Sequence, residues 1–246
     1  MSLLETKELT KNFGSLRAID RLNFRLESGE TRAVIGPNGA GKTTLINLLA
    51  GELSPSKGEI YFEGILISKL SVHRVARLGI SRTFQIVNLF PNLTVEENIR
   101  AATQVSRPWL RWSRSAQQTT ERVLTQVGLR GKSEQRVREL SHGDQRLLEI
   151  GIALAQEPKL LLLDEPTAGL SPVETQAMIE LIGQLEKMAI LIVEHDMNVV
   201  LALADKITVL HRGQILAEGL PAEVQANAQV QEVYLRGSQC IQTKRD

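Results

Sequence analysis

The 246-residue chain is 42% hydrophobic and 23% charged, the composition of a globular protein with a sizeable core rather than of a disordered one. Its 29 Lys and Arg against 28 Asp and Glu leave a net charge of +1, far from the basic balance of a dedicated nucleic-acid binder. A lone cysteine, Cys240, excludes an internal disulfide and fits a reducing compartment. The first residues, MSLLETKELTKNFG, lack a basic start followed by an apolar stretch, and no run is long and apolar enough to cross a bilayer, so neither a secretory signal nor a membrane span is expected.

In LNFRLES, Leu22, Phe24 and Leu26 alternate with polar residues, which predicts a strand with one buried side. GETRAVIGPNGAGKTTLINLLAG then predicts a turn, a buried strand, a glycine-rich loop and a helix. GEIYFEG, Gly58 to Gly64, is another short strand between glycines. From Leu93 to Val127 the pattern turns helical and polar, interrupted by the hydrophilic RPWLRWSRSAQQTT. Ser141 and Gly143 open an amphipathic helix in LSHGDQRLLEIGIALAQ, whose first N–H groups are available to an anion. KLLLLDEP, MAILIVEHD and KITVLHRG follow. The first two are continuous apolar runs ending in carboxylates, as in parallel strands buried on both faces. The expected fold class is α/β: one domain over 1–246 with a mostly parallel core sheet, an antiparallel β subdomain and an inserted α-helical subdomain. Residues 1–90 and 157–246 are assigned to the core and 91–156 to the helical insert.

GPNGAGKTT fits G-x-x-x-x-G-K-[ST] through Gly36, Gly41, Lys42 and Thr43, between an apolar strand and a helix, the context this phosphate-binding pattern requires. Glycines let the backbone wrap phosphates, Lys42 brings a point charge to the β- and γ-phosphates, and the Thr43 hydroxyl can ligate Mg²⁺. Asp164 and Glu165 stand at the end of a buried strand, where ligands bind in parallel sheets. Asp164 suits the metal and Glu165 the orientation of an attacking water. His195, just past another strand, could meet a γ-phosphate, although a histidine there is by itself more often structural. Gln85, in SRTFQ, could reach Mg²⁺ and the water through its amide, but its context alone is unspecific.

Taken together, Gly36–Thr44, Gln85, LSHGDQ, LLLLDEP and His195 resemble the nucleotide-binding subunit of an ABC transporter, from about Leu4 to Leu235. The resemblance implies the ABC ATPase fold, ATP and Mg²⁺ as ligands, and a phosphate loop made of Gly36, Pro37, Asn38, Gly39, Ala40, Gly41, Lys42, Thr43 and Thr44. It implies that Gln85 is the coupling glutamine, that Thr43, Gln85 and Asp164 serve the metal, that Glu165 is the catalytic base and His195 the switch histidine, and that Phe13 stacks on adenine. It also gives the second anion site a purpose. Ser141, His142 and Gly143 would close over ATP held by a partner's phosphate loop, so that dimer closure depends on ATP and opens after hydrolysis.

The usual Leu-Ser-Gly-Gly-Gln is altered here: His142 replaces the first glycine and Asp144 the glutamine. A carboxylate facing a γ-phosphate repels it, so the Asp144 side chain is expected to turn away. Ser171 stands where many relatives have aspartate. GISRTFQIVNLFPNLTVEENI, DEPTAGLSP and VQEVYLRG resemble the branched-chain and hydrophobic amino-acid uptake group, with urea or amide importers as the alternative. The implied partners are a second ABC ATPase subunit, identical or related, two transmembrane permease subunits and, indirectly, an extracytoplasmic binding protein, with no nucleic acid. The implied location is the cytoplasmic face of the inner or plasma membrane. Leu89, Phe90 and Pro91 are placed to accept a permease helix or to pack within the insert; Trp109 and Trp112 suit a solvated loop better than a membrane contact. A non-transport ABC ATPase of DNA repair or translation is the other class considered. The short interval between the two anion sites, the single cassette and the balanced charge speak against it.

Overall fold

The computed structural model describes residues 2–83, 89–106, 114–185 and 188–233. In chain order the elements are β1 (Ser2–Phe13), β2 (Leu16–Leu22), β3 (Arg25–Glu27), β4 (Thr31–Ile35), α1 (Lys42–Leu49), β5 (Lys57–Phe62), β6 (Ile65–Leu66), α2 (Val72–Leu78), β7 (Ile80–Arg82), α3 (Val95–Ser106) and α4 (Arg114–Gln126). They continue with α5 (His142–Leu154), β8 (Leu160–Asp164), α6 (Pro172–Gly183), β9 (Ala189–Val193), α7 (Met197–Leu203), β10 (Lys206–His211), β11 (Gln214–Gly219) and α8 (Pro221–Ala226). Two compact units result, one of residues 1–72 and 189–246, the other of residues 73–188. This division groups β8 and α6 with the helical middle, unlike the 1–90, 91–156, 157–246 partition. The physical reason is that β8 bonds to β7 while α5 packs on β7, tying these strands to the helices.

In the first unit β1 is the spine of an antiparallel sheet, paired with β2, β3 and β5, with β6 on the far side of β5. Leu22, Phe24 and Leu26 are all buried, as their alternation requires, yet the strand is broken between β2 and β3. The hydroxyl of Thr6 explains the break: it donates to Leu22 O at 2.9 Å and accepts from Phe24 N at 2.9 Å, taking over where the ladder is interrupted. A second sheet in this unit runs β11-β10-β4-β9, parallel except for β11 at the edge. Apolar side chains fill β9 throughout, but β4 carries a buried Arg32. Its guanidinium is met by Glu30 at 2.5 Å, Glu218 at 2.9 Å and the Thr208 hydroxyl at 3.0 Å, so the buried charge is compensated within the sheet.

In the second unit β7 and β8 are parallel, with Ile80, Ser81 and Arg82 opposite Leu160, Leu161 and Leu162. Leu160 to Leu163 are fully buried, each removal from water contributing about 1.5–3 kcal/mol. The helices α3, α4 and α5 meet at Gly151, where an added Cβ would come within 3.4 to 3.5 Å of Val123, Val127 and Ile99.

Candidate functional site

In the first unit the chain leaves β4 at Ile35, forms the loop 36–41 and enters α1. The loop is seated on its own unit. An added Cβ at Gly36 would lie 2.2 Å from Leu210 O, and at Gly41, where φ is 107°, 2.5 Å from Ala18 O; no other residue fits these two places. Ala40 O accepts from Gly213 N at 2.9 Å, anchoring the loop to the turn between β10 and β11. Lys42 is buried and folds back over the loop, its Nζ donating to Gly36 O at 2.7 Å and Pro37 O at 3.3 Å. The loop thus holds a cation in its own concavity, at the positive end of a helix whose first turn has no acidic residue. Thr43 is exposed beside it.

The same unit holds Phe13 at the end of β1, exposed, with Lys11 Nζ 5.2 Å from its ring centroid. His195 follows β9 with its side chain 66% exposed. Its backbone N–H donates at 3.1 Å to the carboxylate of the fully buried Glu194, which holds the start of the turn in place.

In the second unit β8 delivers Asp164 and Glu165. Asp164 is buried, and its Oδ2 lies 3.3 Å from Nη2 of Arg82 on the neighbouring strand. Glu165 has φ of 51°, a left-handed conformation costing a non-glycine residue about 1–3 kcal/mol. The chain thereby turns sharply off the sheet straight after Asp164. Ser141 is the N-cap of α5, its Oγ accepting from Asp144 N at 3.1 Å. The Asp144 carboxylate does not turn away from the serine: Oδ2 accepts from Ser141 Oγ at 2.9 Å and lies 2.5 Å from Lys132 Nζ. The lysine supplies the compensating charge that draws the carboxylate back onto the cap.

Ser171 caps α6 through a reciprocal box with Glu174, whose Oε2 accepts from Ser171 N at 2.9 Å and Oγ at 2.7 Å. These two bonds, with help from the Gly143 amide and the His142 side chain, hold the Glu174 carboxyl below its ordinary range. On α5, burial pushes Glu149 upward, partly offset by Arg146 at 2.9 Å.

A family model described as ABC transporter matches residues 19–168 of this chain. The chain belongs to the ABC transporter family. A second model, described as branched-chain amino acid ATP-binding cassette transporter, matches residues 214–235. The cassette is 37% identical over 248 residues to the high-affinity branched-chain amino acid transport ATP-binding protein BraF of Pseudomonas aeruginosa, covering 95% of this chain and 97% of that one. Among solved structures it resembles a nucleotide-free ATP-binding cassette from an ABC transporter, with a TM-score of 0.85, 30% identity and coverage of 95% and 99% of the two chains. It also resembles a dimeric, post-hydrolysis cassette bound to ADP and Pi, with a TM-score of 0.79, 25% identity and coverage of 89% and 98%.

In this ABC cassette the first unit carries Phe13, Gly36 to Thr44 and His195, and the second Asp164, Glu165, Ser141, His142 and Gly143. Gln85, Trp109, Trp112 and Cys240 lie outside the described residues. Three residues unremarked in the sequence now stand next to those singled out: Arg82 on Asp164, Lys132 on Asp144 and Glu174 against Gly143. None of the three carried a signal of its own, because Arg82 follows Ser81 in a three-residue strand and ordinary surface charges look like Lys132 and Glu174. Each unit offers oxygen chemistry that suits Mg²⁺, the exposed Thr43 hydroxyl in the first and the buried Asp164 carboxylate in the second, and among the described residues no cluster of three or more His, Cys, Asp or Glu would cage a metal alone.

Proposed function

We propose that this chain is the ATP-hydrolysing subunit of an ABC importer, working as one of a pair of ATPases bound to two transmembrane permeases. The observation that carries the proposal is the glycine loop closed around Lys42 at the head of α1, in a chain of this family. Backbone N–H groups of residues 36–44 and the Lys42 ammonium bind the phosphates, and Phe13 offers its exposed ring to adenine. Lys42 exchanges its bonds to Gly36 O and Pro37 O for phosphate oxygens. Glu165 takes a proton from the attacking water, and His195 and Gln85 sense the terminal phosphate. Thr43, Gln85 and Asp164 would hold Mg²⁺, which neutralises charge on the phosphates when bound.

Ser141, His142 and Gly143 contact ATP held by the partner ATPase, so the nucleotide closes the pair and its hydrolysis lets the pair open. The solved dimeric cassette supports pairing of such chains. The cargo is a branched-chain or other hydrophobic amino acid, supported by the similarity to BraF and by the match over residues 214–235. A urea or amide importer is the alternative, because cargo is chosen by the binding protein and permeases. By role rather than by the two compact units, residues 1–90 and 157–246 serve as the catalytic core and 91–156 as the helical subdomain that answers to the permease. Attachment to the cytoplasmic face passes through the permeases; no helix among the described residues is long and apolar enough to cross a membrane.

The test is recovery of a tagged chain from native membranes. A complex containing two permeases, with ATPase activity stimulated by a binding protein loaded with leucine, is the expected result. Stimulation by urea instead would move the cargo assignment, and a chain that sediments with membranes without any permease would overturn the proposal.

A further inference from the structure

The corner assigned above to a partner's γ-phosphate is engaged within the chain. Ser141 has one hydroxyl proton, and that proton is donated to Asp144 Oδ2 at 2.9 Å while Oγ accepts from Asp144 N. Lys132 Nζ, 2.5 Å from the same oxygen, holds the carboxylate there. At Gly143 a Cβ would sit 2.3 Å from Oε1, 2.7 Å from Cδ and 2.9 Å from Cγ of Glu174, so the place over this glycine is taken by a carboxylate. Glu174 divides its oxygens: Oε2 closes the cap of α6 on Ser171, and Oε1 is the one over Gly143. A capping box needs only the first of these.

Resting on the in-trans role proposed for Ser141 and Gly143, we infer that Glu174 and Asp144 are internal stand-ins for the partner's phosphate, and that ATP-driven closure must displace them. An anionic carboxylate and an anionic phosphate seek the same donors, so each closed pair forms at the expense of the internal contacts. The competent form is then a fraction of the open subunit, and the apparent affinity for ATP in closure is reduced by that fraction. The device sets a threshold: nucleotide without a γ-phosphate leaves both carboxylates in place.

The experiment measures hydrolysis against ATP concentration, with Mg²⁺ present, in the complex recovered from membranes through a tag on this chain. Glu174→Gln is the informative variant. Its amide oxygen can still accept from Ser171 N, whereas the negative charge over Gly143 is lost. The half-saturating ATP concentration is expected to fall about three- to ten-fold. A role confined to capping α6 predicts no fall, and a half-saturating concentration that is unchanged or higher overturns the inference. Should Glu174→Gln fail to assemble, Asp144→Asn decides by the same criterion. Ser141→Arg separates the two levels of the proposal. If it leaves hydrolysis by the complex intact, the in-trans role itself is wrong; if it abolishes hydrolysis and Glu174→Gln does not lower the ATP requirement, only the self-occupancy is wrong.

Discussion

Glu165 sits in a left-handed conformation that a glycine would occupy without strain. The same conformation recurs at Glu8, Arg21, Glu63, Glu157 and Arg212, so the base role proposed for Glu165 rests on its place after Asp164 rather than on this strain. Glu165→Gln retains the side chain's shape and removes the proposed base. It is expected to lower the ATP turnover of the complex by at least about 100-fold with nucleotide binding retained, checked by steady-state hydrolysis and by equilibrium binding of ATP. Glu174 allows a prediction with a defined sign. Its carboxyl is lowered in the folded chain, chiefly by the Ser171 backbone N–H and then its hydroxyl. A group lowered on folding contributes stability above its unfolded pKa and loses it as pH falls through the folded value. The difference in melting temperature between the parent and Glu174→Gln should therefore persist at neutral pH and shrink only below about pH 4.

At the scale of elements, β8 and α5 carry the second unit's chemistry and most of its visible packing. Leu161 is fully buried, opposite Ser81 of β7, between neighbours that are themselves fully buried. Leu161→Ala removes a side chain from a strand with no slack, and should cost about 2–5 kcal/mol in chemical denaturation. The two elements were legible in different degrees. Four consecutive leucines before Asp164 announce a buried strand without reference to anything else, and a serine before an amphipathic stretch announces the start of α5. What Ser141 does with its proton was not legible. That depends on Lys132, which comes from the short 3-10 turn Arg130–Lys132, and on the way this turn is folded back toward α5. The break between β2 and β3 was hidden for the same reason, since Thr6 reaches it from another strand.

For the whole molecule the question is how nucleotide chemistry reaches a permease. Phe90 is 58% exposed, and its backbone is clamped on both sides by the buried Asn98, which accepts from Phe90 N at 2.9 Å and donates to Phe90 O at 3.2 Å. A large apolar ring held outward by a buried amide suits a docking contact better than internal packing. Phe90→Ala should weaken recovery of permeases with the tagged chain about ten-fold or more while the chain keeps its melting temperature. Unchanged recovery would remove Phe90 from the permease contact.

The sequence by itself determined the buried strands before the glycine loop, before Asp164 and before His195, the glycine loop with its lysine and threonine, and the family resemblance, because each depends on residues a few positions apart whose chemistry is the same wherever the chain goes. Only the tertiary structure decided which charges neutralise one another: Arg82 with Asp164, Lys132 with Asp144, Arg32 with Glu30 and Glu218. It also decided that Gly143 makes room for the Glu174 carboxylate. Pairing of charges and close approach of backbones are set by long-range contacts, and a carboxylate reads the same in a sequence whether it faces water, a metal or the amide of another helix.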